Sequence, residues 1–214
     1  MTKTPRRTRE RILERSLQLF NELGEPGVTV AAIAEDLRIS PGNLYYHFAN
    51  KEAIVTALFE RFDAEIGALL DEASRREIRL EDVPPFLGLL FESIWRHRFV
   101  YRDINDLLSR HRSLELGLQA IVHRKADAAT LLCRALAEAG ELSATPAESD
   151  ALATNMVVVA IGWLPYEYIG GARRFGDPDF ARGCVERGVT QLLALLRPWL
   201  SSAGRERLSA ARAA

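Results

Sequence analysis

The residues best equipped for chemistry stand in one run, SPGNLYYHF, residues 40–48. Read as a helix, its successive side chains project about 100° apart. With Leu44 turned inward, Phe48 falls on the same side and Tyr46 points the opposite way. Gly42 and Asn43 share the outward arc with Tyr46, and Tyr45 lies on its flank. One helix face cannot bury both tyrosines, and a wet aromatic needs a reason more than a wet leucine does. The chemistry on offer is recognition. An amide can pair with a base edge, a glycine admits a close backbone, and phenols can reach phosphate oxygens.

Covalent and metal chemistry have thinner support. Beyond His47 the histidines are His97, His111 and His123, with no H-E-x-x-H pair or other metal-ligand spacing. Cys133 and Cys184 are the only cysteines, too few for a disulfide framework and best read as small buried residues of a reducing compartment. No glycine-rich phosphate loop or G-x-S-x-G elbow occurs. The expectation is a protein that is not an enzyme and needs no metal or cofactor.

A net charge of −1 argues against a general nucleic-acid coat, but the charge is unevenly placed. Lys3, Arg6, Arg7, Arg9, Arg11 and Arg15 are opposed at this end only by Glu10 and Glu14. Such an arginine-rich start is no secretory signal, and MVVVAIGWLPY (156–166) is too short to span a bilayer. A cytoplasmic chain with no membrane partner is expected.

Helical periodicity dominates the elements that must position these residues. Pro5 opens a first helix that GEPG (24–27) ends. Thr29 caps a second, carrying Ile33, Ala34 and Leu37 inward, and Ser40 caps the third. Two short helices joined by a tight turn through Arg38 and Ile39 suit a helix-turn-helix, whose second helix lies in the major groove. Ser40, Pro41, Gly42 and Asn43 form its leading edge. Asn50 caps a fourth helix that starts at Lys51. Cations at helix starts conflict with the helix dipole, and a phosphate between Lys51 and the arginines, Arg6 and Arg7 among them, would remove that conflict.

Further helices are expected from DVPP (82–85), over Tyr101 to Ser109, from Ser113 to Gly140, from Pro146 to Gly170-Gly171, and from Asp179 to Leu200. The last residues, GRERLSAARAA, read as a frayed or weakly docked tail. The fold class is all-α with about nine helices. Residues 1–52 form a three-helix DNA-binding domain, 53–202 a larger helical domain, and 203–214 the tail.

The segment TVAAIAEDLRISPGNLYYHFANKEAI (29–54) strongly resembles the DNA-binding segment of the tetracycline-repressor (TetR) family of bacterial regulators. The close likeness covers roughly residues 8–55, with Y-Y-H-F-x-N-K-E its most specific part. By position it implies that Thr29, Ser40, Gly42, Asn43, Tyr45, Tyr46, His47 and Lys51 contact or adjoin DNA. Arg38 departs from it, since many members carry glycine before the apolar turn residue. If that backbone is left-handed, arginine costs about 1–2 kcal/mol there.

The resemblance further implies a homodimer on a palindromic operator, built on the last two helices. Val159, Ala160, Leu192, Leu193 and Leu196 are the candidates, because a helix apolar on every side must be covered on every side. It also implies an effector pocket in the middle helices. Phe91, Trp95, Tyr101, Asn105, His123, Asn155, Trp163 and Tyr166 are the candidates there, a mostly aromatic set of the kind that lines ligand sites and also builds ordinary cores. The expected function is a repressor released from its operator by a small apolar or amphipathic effector. The alternative is an all-α small-molecule-binding protein or enzyme that kept the fold without the DNA function.

Overall fold

Caps and breakers set the elements of the computed structural model, which describes residues 5–75 and 79–211, apart from the side chains of Pro5 and Arg6. α1 (Pro5–Leu23) starts on its proline and stops at Gly24, whose φ of 88° is left-handed. The Thr29 hydroxyl accepts from the Ala32 N–H at 3.1 Å to start α2 (Val30–Asp36). Ser40 accepts from the Asn43 N–H at 3.1 Å to start α3 (Pro41–His47). Asn50 Oδ1 accepts from the Ala53 N–H at 2.8 Å at the start of α4 (Lys51–Arg75). All three caps sit where the sequence puts them.

There follow α5 (Val83–Arg96), α6 (Phe99–Arg102), α7 (Ile104–Arg110), α8 (Arg112–Glu138), α9 (Pro146–Gly171), α10 (Pro178–Leu196) and α11 (Ser202–Ala211). Single 3-10 turns cover Leu80–Asp82, Ala172–Arg174 and Arg197–Trp199. The described residues thus hold eleven α-helices rather than about nine, and two local causes explain the difference.

The helix expected over Tyr101 to Ser109 breaks at Asp103, where ψ is 20°. There the side chains reach away to the end of α1. Arg102 donates to the carbonyl oxygens of Phe20 at 2.7 Å and Asn21 at 3.2 Å, and the Asp103 carboxylate accepts from the Glu25 N–H at 2.8 Å. The tail, expected to be frayed or weakly docked, is α11, docked through buried Leu208. Backbone bonds hold its approach: Ser201 N donates to Glu141 O at 2.8 Å and Ser143 N to Trp199 O at 2.7 Å.

Two units divide the chain. The first takes residues up to 64 together with 97–117, and the second takes 65–96 and the chain from 118. The first unit thus holds the helix-turn-helix, the start of α4, and α6 and α7. Phe62 is the reason. Its ring meets Tyr101 edge-on at 5.8 Å and His97 at 5.3 Å, while Phe20 packs on Phe99 at 5.5 Å. In the second unit α5, α9 and α10 pack closely because Gly188 has no side chain: a Cβ there would lie 2.9 Å from both Phe91 and Trp163.

Candidate nucleic-acid interface

The turn between α2 and α3 closes by two backbone bonds, Arg38 N to Glu35 O at 2.9 Å and Ile39 N to Ala34 O at 3.0 Å. This paired pattern requires a left-handed residue after the C-cap, usually glycine. Arg38 takes it with φ 55°, so the departure noted in the sequence is accommodated in a strained backbone and the helix-turn-helix geometry is kept. Ala34 is buried in α2, and an exposed arginine holds the turn.

α3 divides its residues as its periodicity demands. Leu44 is fully buried and Phe48 nearly so, whereas Tyr45 is 53% and Tyr46 78% exposed. Pro41, Gly42 and Asn43 are exposed beside them, and half-buried His47 meets the Tyr46 ring edge-on at 5.1 Å. A Cβ on Gly42 would meet nothing nearer than Ser40 Oγ at 4.0 Å, so no neighbour in this chain requires glycine there. The exposed Thr29 and Ser40 hydroxyls accept cap bonds and keep their own protons for an outside acceptor. The structure therefore brings these residues together on one open edge.

The cations behave differently. Arg7 is exposed, while the Arg6 side chain lies outside the described residues. Arg9 stacks on the Phe48 ring at 4.9 Å, and Arg15 pairs with Asp36, its Nη2 donating to Oδ1 at 2.7 Å. Lys51 does not stand free for a phosphate. Its ammonium donates to the carbonyl oxygens of Glu25 at 2.9 Å and Val28 at 3.0 Å, and lies 3.0 Å from the buried Glu25 carboxylate. Arg110 binds the other oxygen of that carboxylate. Lys51 is the peg of a clasp joining the α1–α2 loop to α4 and α7, which resolves its conflict with the helix dipole from inside. Sequence reasoning missed Glu25, Asp103 and Arg110, because the Glu25–Arg110 pair is 85 positions apart.

The eight expected ligand residues do not gather. Tyr101 is sealed among aromatics, and burial pushes its phenol above the ordinary tyrosine range. Phe91 and Trp163 are core, with Trp163 Nε1 donating to Cys184 O at 2.9 Å, and Trp95 stacks on Phe175 at 4.8 Å. Asn105, His123, Asn155 and Tyr166 are exposed. A cavity of about 300 Å³ opens instead between α4, α5, α8, α9 and α10, lined by aliphatic side chains such as Leu70, Leu87, Met156 and Leu192, and none of the eight lines it. Phe91 and Trp163 fill the core against Gly188, and mostly aliphatic side chains with Phe86 surround the space.

The expected dimer residues also turn inward. Ala160 and Leu192 line that cavity, Leu196 is fully buried, and Leu193 lines a small crevice together with Leu208 of α11. Val159 is half-buried. The open apolar face of α9 is the neighbouring stripe, with Val158 62%, Tyr166 67% and Ile169 85% exposed.

An all-α chain whose first unit presents a capped, tyrosine-bearing second helix over a tight turn is a helix-turn-helix protein. More specifically, the chain belongs to the TetR family. Residues 12–58 match the model described as bacterial regulatory proteins, tetR family, and residues 61–208 match that of a bacterial transcriptional repressor. It is similar to the HTH-type transcriptional regulator UidR of Escherichia coli K12, 43% identical over 51 residues, which are 24% of this chain and 26% of UidR. The chain thus spans about a quarter of that curated relative. A TetR-family regulator from Marinobacter aquaeolei VT8 is similar end to end, with 33% identity, a TM-score of 0.83, and coverage of 96% of this chain and 97% of that one. SmeT in complex with triclosan shares the fold at 20% identity and a TM-score of 0.64, covering 92% and 93% of the two chains.

Proposed function

We propose that this protein is a ligand-responsive transcriptional regulator, a repressor that leaves its operator when a small apolar or amphipathic effector occupies the second unit. One observation carries the reading: the open face of α3, where Gly42, Asn43, Tyr45 and Tyr46 stand exposed over buried Leu44 and Phe48. An α-helix fits the major groove, with residues near its N-terminus at the base edges. Asn43 then reads a base, Gly42 admits the duplex, and Tyr45, Tyr46 and the hydroxyls of Thr29 and Ser40 hold phosphates. Lys51 positions this head without touching DNA.

Two copies pair through the open stripe of α9 and read a palindrome, since a two-fold protein matches a two-fold site. The effector enters the aliphatic cavity. α4 supplies residues 51–64 to the first unit and 65–75 to the second, and α8 is likewise shared, so these two helices are the continuous covalent routes for a signal. SmeT, which shares the fold, has been captured with triclosan, a fold-level analogy for small-molecule binding.

A protein acting on a bacterial operator works in the cytoplasm. Among the described residues, no helix is long and apolar enough to cross a membrane. Against the alternative of an enzyme, burial pushes the Cys133 thiol up to about 11 and the Cys184 thiol up to about 12, which keeps both protonated and poorly nucleophilic at neutral pH.

The test is selection of random duplexes on the purified protein. The expected product is a palindrome with half-sites about one helical turn (34–36 Å) or a multiple apart, bound with an affinity that falls steeply with salt. Recovery of no common sequence, with retention no better than for bulk DNA, would leave the DNA-free alternative.

A further inference from the structure

The walls of the cavity are apolar, aliphatic apart from the Phe86 ring, except at three charged places. Glu72 and Asp82 are exposed, so their charges are solvated and screened. Lys125, on α8, is only 4% exposed and shares the wall with Leu70, Leu87, Leu90, Met156 and Val157. It is the one basic side chain among the described residues lining this space. Buried ammonium groups are costly, since burial favours the neutral amine. That burial pushes Lys125 down to about 7.

We propose that the cavity binds a single-chain amphiphile carrying one carboxylate, with its head on the Lys125 ammonium and its alkyl chain along the aliphatic wall. A carboxylate meets the amine in a dry setting, where a charge-assisted hydrogen bond is about twice as strong as a neutral one. It also restores the proton that burial disfavours. The singly charged head follows from the single cation, because a phosphate would call for several donors. The volume of about 300 Å³ sits at the small end of ligand pockets, which suits one medium-length chain. This inference rests on the reading that the cavity is the effector site, and it names the class of effector.

The test uses three probes that share a ten-carbon chain, decanoate, 1-decanol and decylammonium, each titrated calorimetrically into the full-length protein below its micelle threshold. Decanoate is expected to bind at least tenfold more tightly than decanol. Lys125→Met is expected to keep decanol binding within threefold and to lose the preference for decanoate. Methionine suits a buried apolar wall, and a melting curve checks that the variant is folded. Equal affinities for decanoate and decanol in the wild type, a preference for decylammonium, binding of none of the three, or a carboxylate preference that survives in Lys125→Met would each overturn the inference. Decanoate binding that depends on Lys125 but leaves affinity for a selected duplex unchanged supports the carboxylate site and counts only against the switch.

Discussion

Lys51 and Glu25 form an inward-facing pair: the ammonium lies 3.0 Å from a carboxylate whose side chain is 1% exposed. With that ammonium, Glu25 is held by Arg110 as well, and the Glu25 N–H by Asp103. Breaking a buried pair by removing one partner leaves a charge in low dielectric. Lys51→Ala should therefore destabilise the protein by about 1–3 kcal/mol, moderated by the remaining Arg110. Urea unfolding checks this, together with DNA titration at several salt concentrations. Unchanged stability with a salt slope lowered by about one would restore Lys51 to the phosphates.

Arg38→Gly should stabilise the fold. Relief of a left-handed side chain is worth about 1–2 kcal/mol, offset by about 0.4–1 kcal/mol of extra freedom in the unfolded chain. A rise of a few degrees in melting temperature is the expected result. A fall would mean that the arginine makes contacts which outweigh its backbone strain.

Lys125 gives stability a pH dependence of known sign. Below about 7 the folded and unfolded chains both hold the proton, and the folded state carries the cost of burying it. Between about 7 and the ordinary lysine value of 10.5 the unfolded chain binds more protons, so this residue makes stability rise with pH. Lys125→Met removes that dependence. The variant should exceed the wild type most at neutral pH and least near pH 10, as read by denaturant unfolding across that window. A constant difference would mean that the amine titrates alike in both states.

The dimer prediction follows exposure. Val158→Glu or Ile169→Glu should give monomers of unchanged helicity in light scattering, because both side chains lie open on α9. Leu193→Glu should misfold instead, since Leu193 is 3% exposed. Retention of the dimer in both α9 variants would move the interface elsewhere, and a wild-type monomer at micromolar concentration would refute the dimer itself.

What could be read from the sequence was local. The caps Thr29, Ser40 and Asn50 act within three residues of themselves, and the division of Leu44 from Tyr46 needs only helical periodicity. Partners distant in the chain were not legible. Nothing near Lys51 announces Glu25, and nothing near Arg102 announces the end of α1. The apolar character of α9 and α10 is plain in the sequence, but which neighbour covers each side chain is not. Leu193 shares a crevice with Leu208 of α11, and that single leucine is too slight a signal to announce the docking in the sequence. Aromatic rings look like ligand walls in a sequence, whereas Phe91 and Trp163 are buried in the core and Trp95 is half-buried against Phe175.

The central claim is that the open face of α3 reads DNA. Its most direct measurement is fluorescence anisotropy of a selected duplex with the wild type, Asn43→Ala and Tyr46→Ala, alongside circular dichroism and melting. Both variants should retain helicity and stability, because neither side chain is buried. Asn43→Ala should lose about 1–3 kcal/mol of binding and relax the preference for one base, as expected for a good bidentate contact. Tyr46→Ala should weaken matched and mismatched duplexes alike, as loss of a phosphate contact does. Wild-type affinity and base preference in both variants would contradict the account.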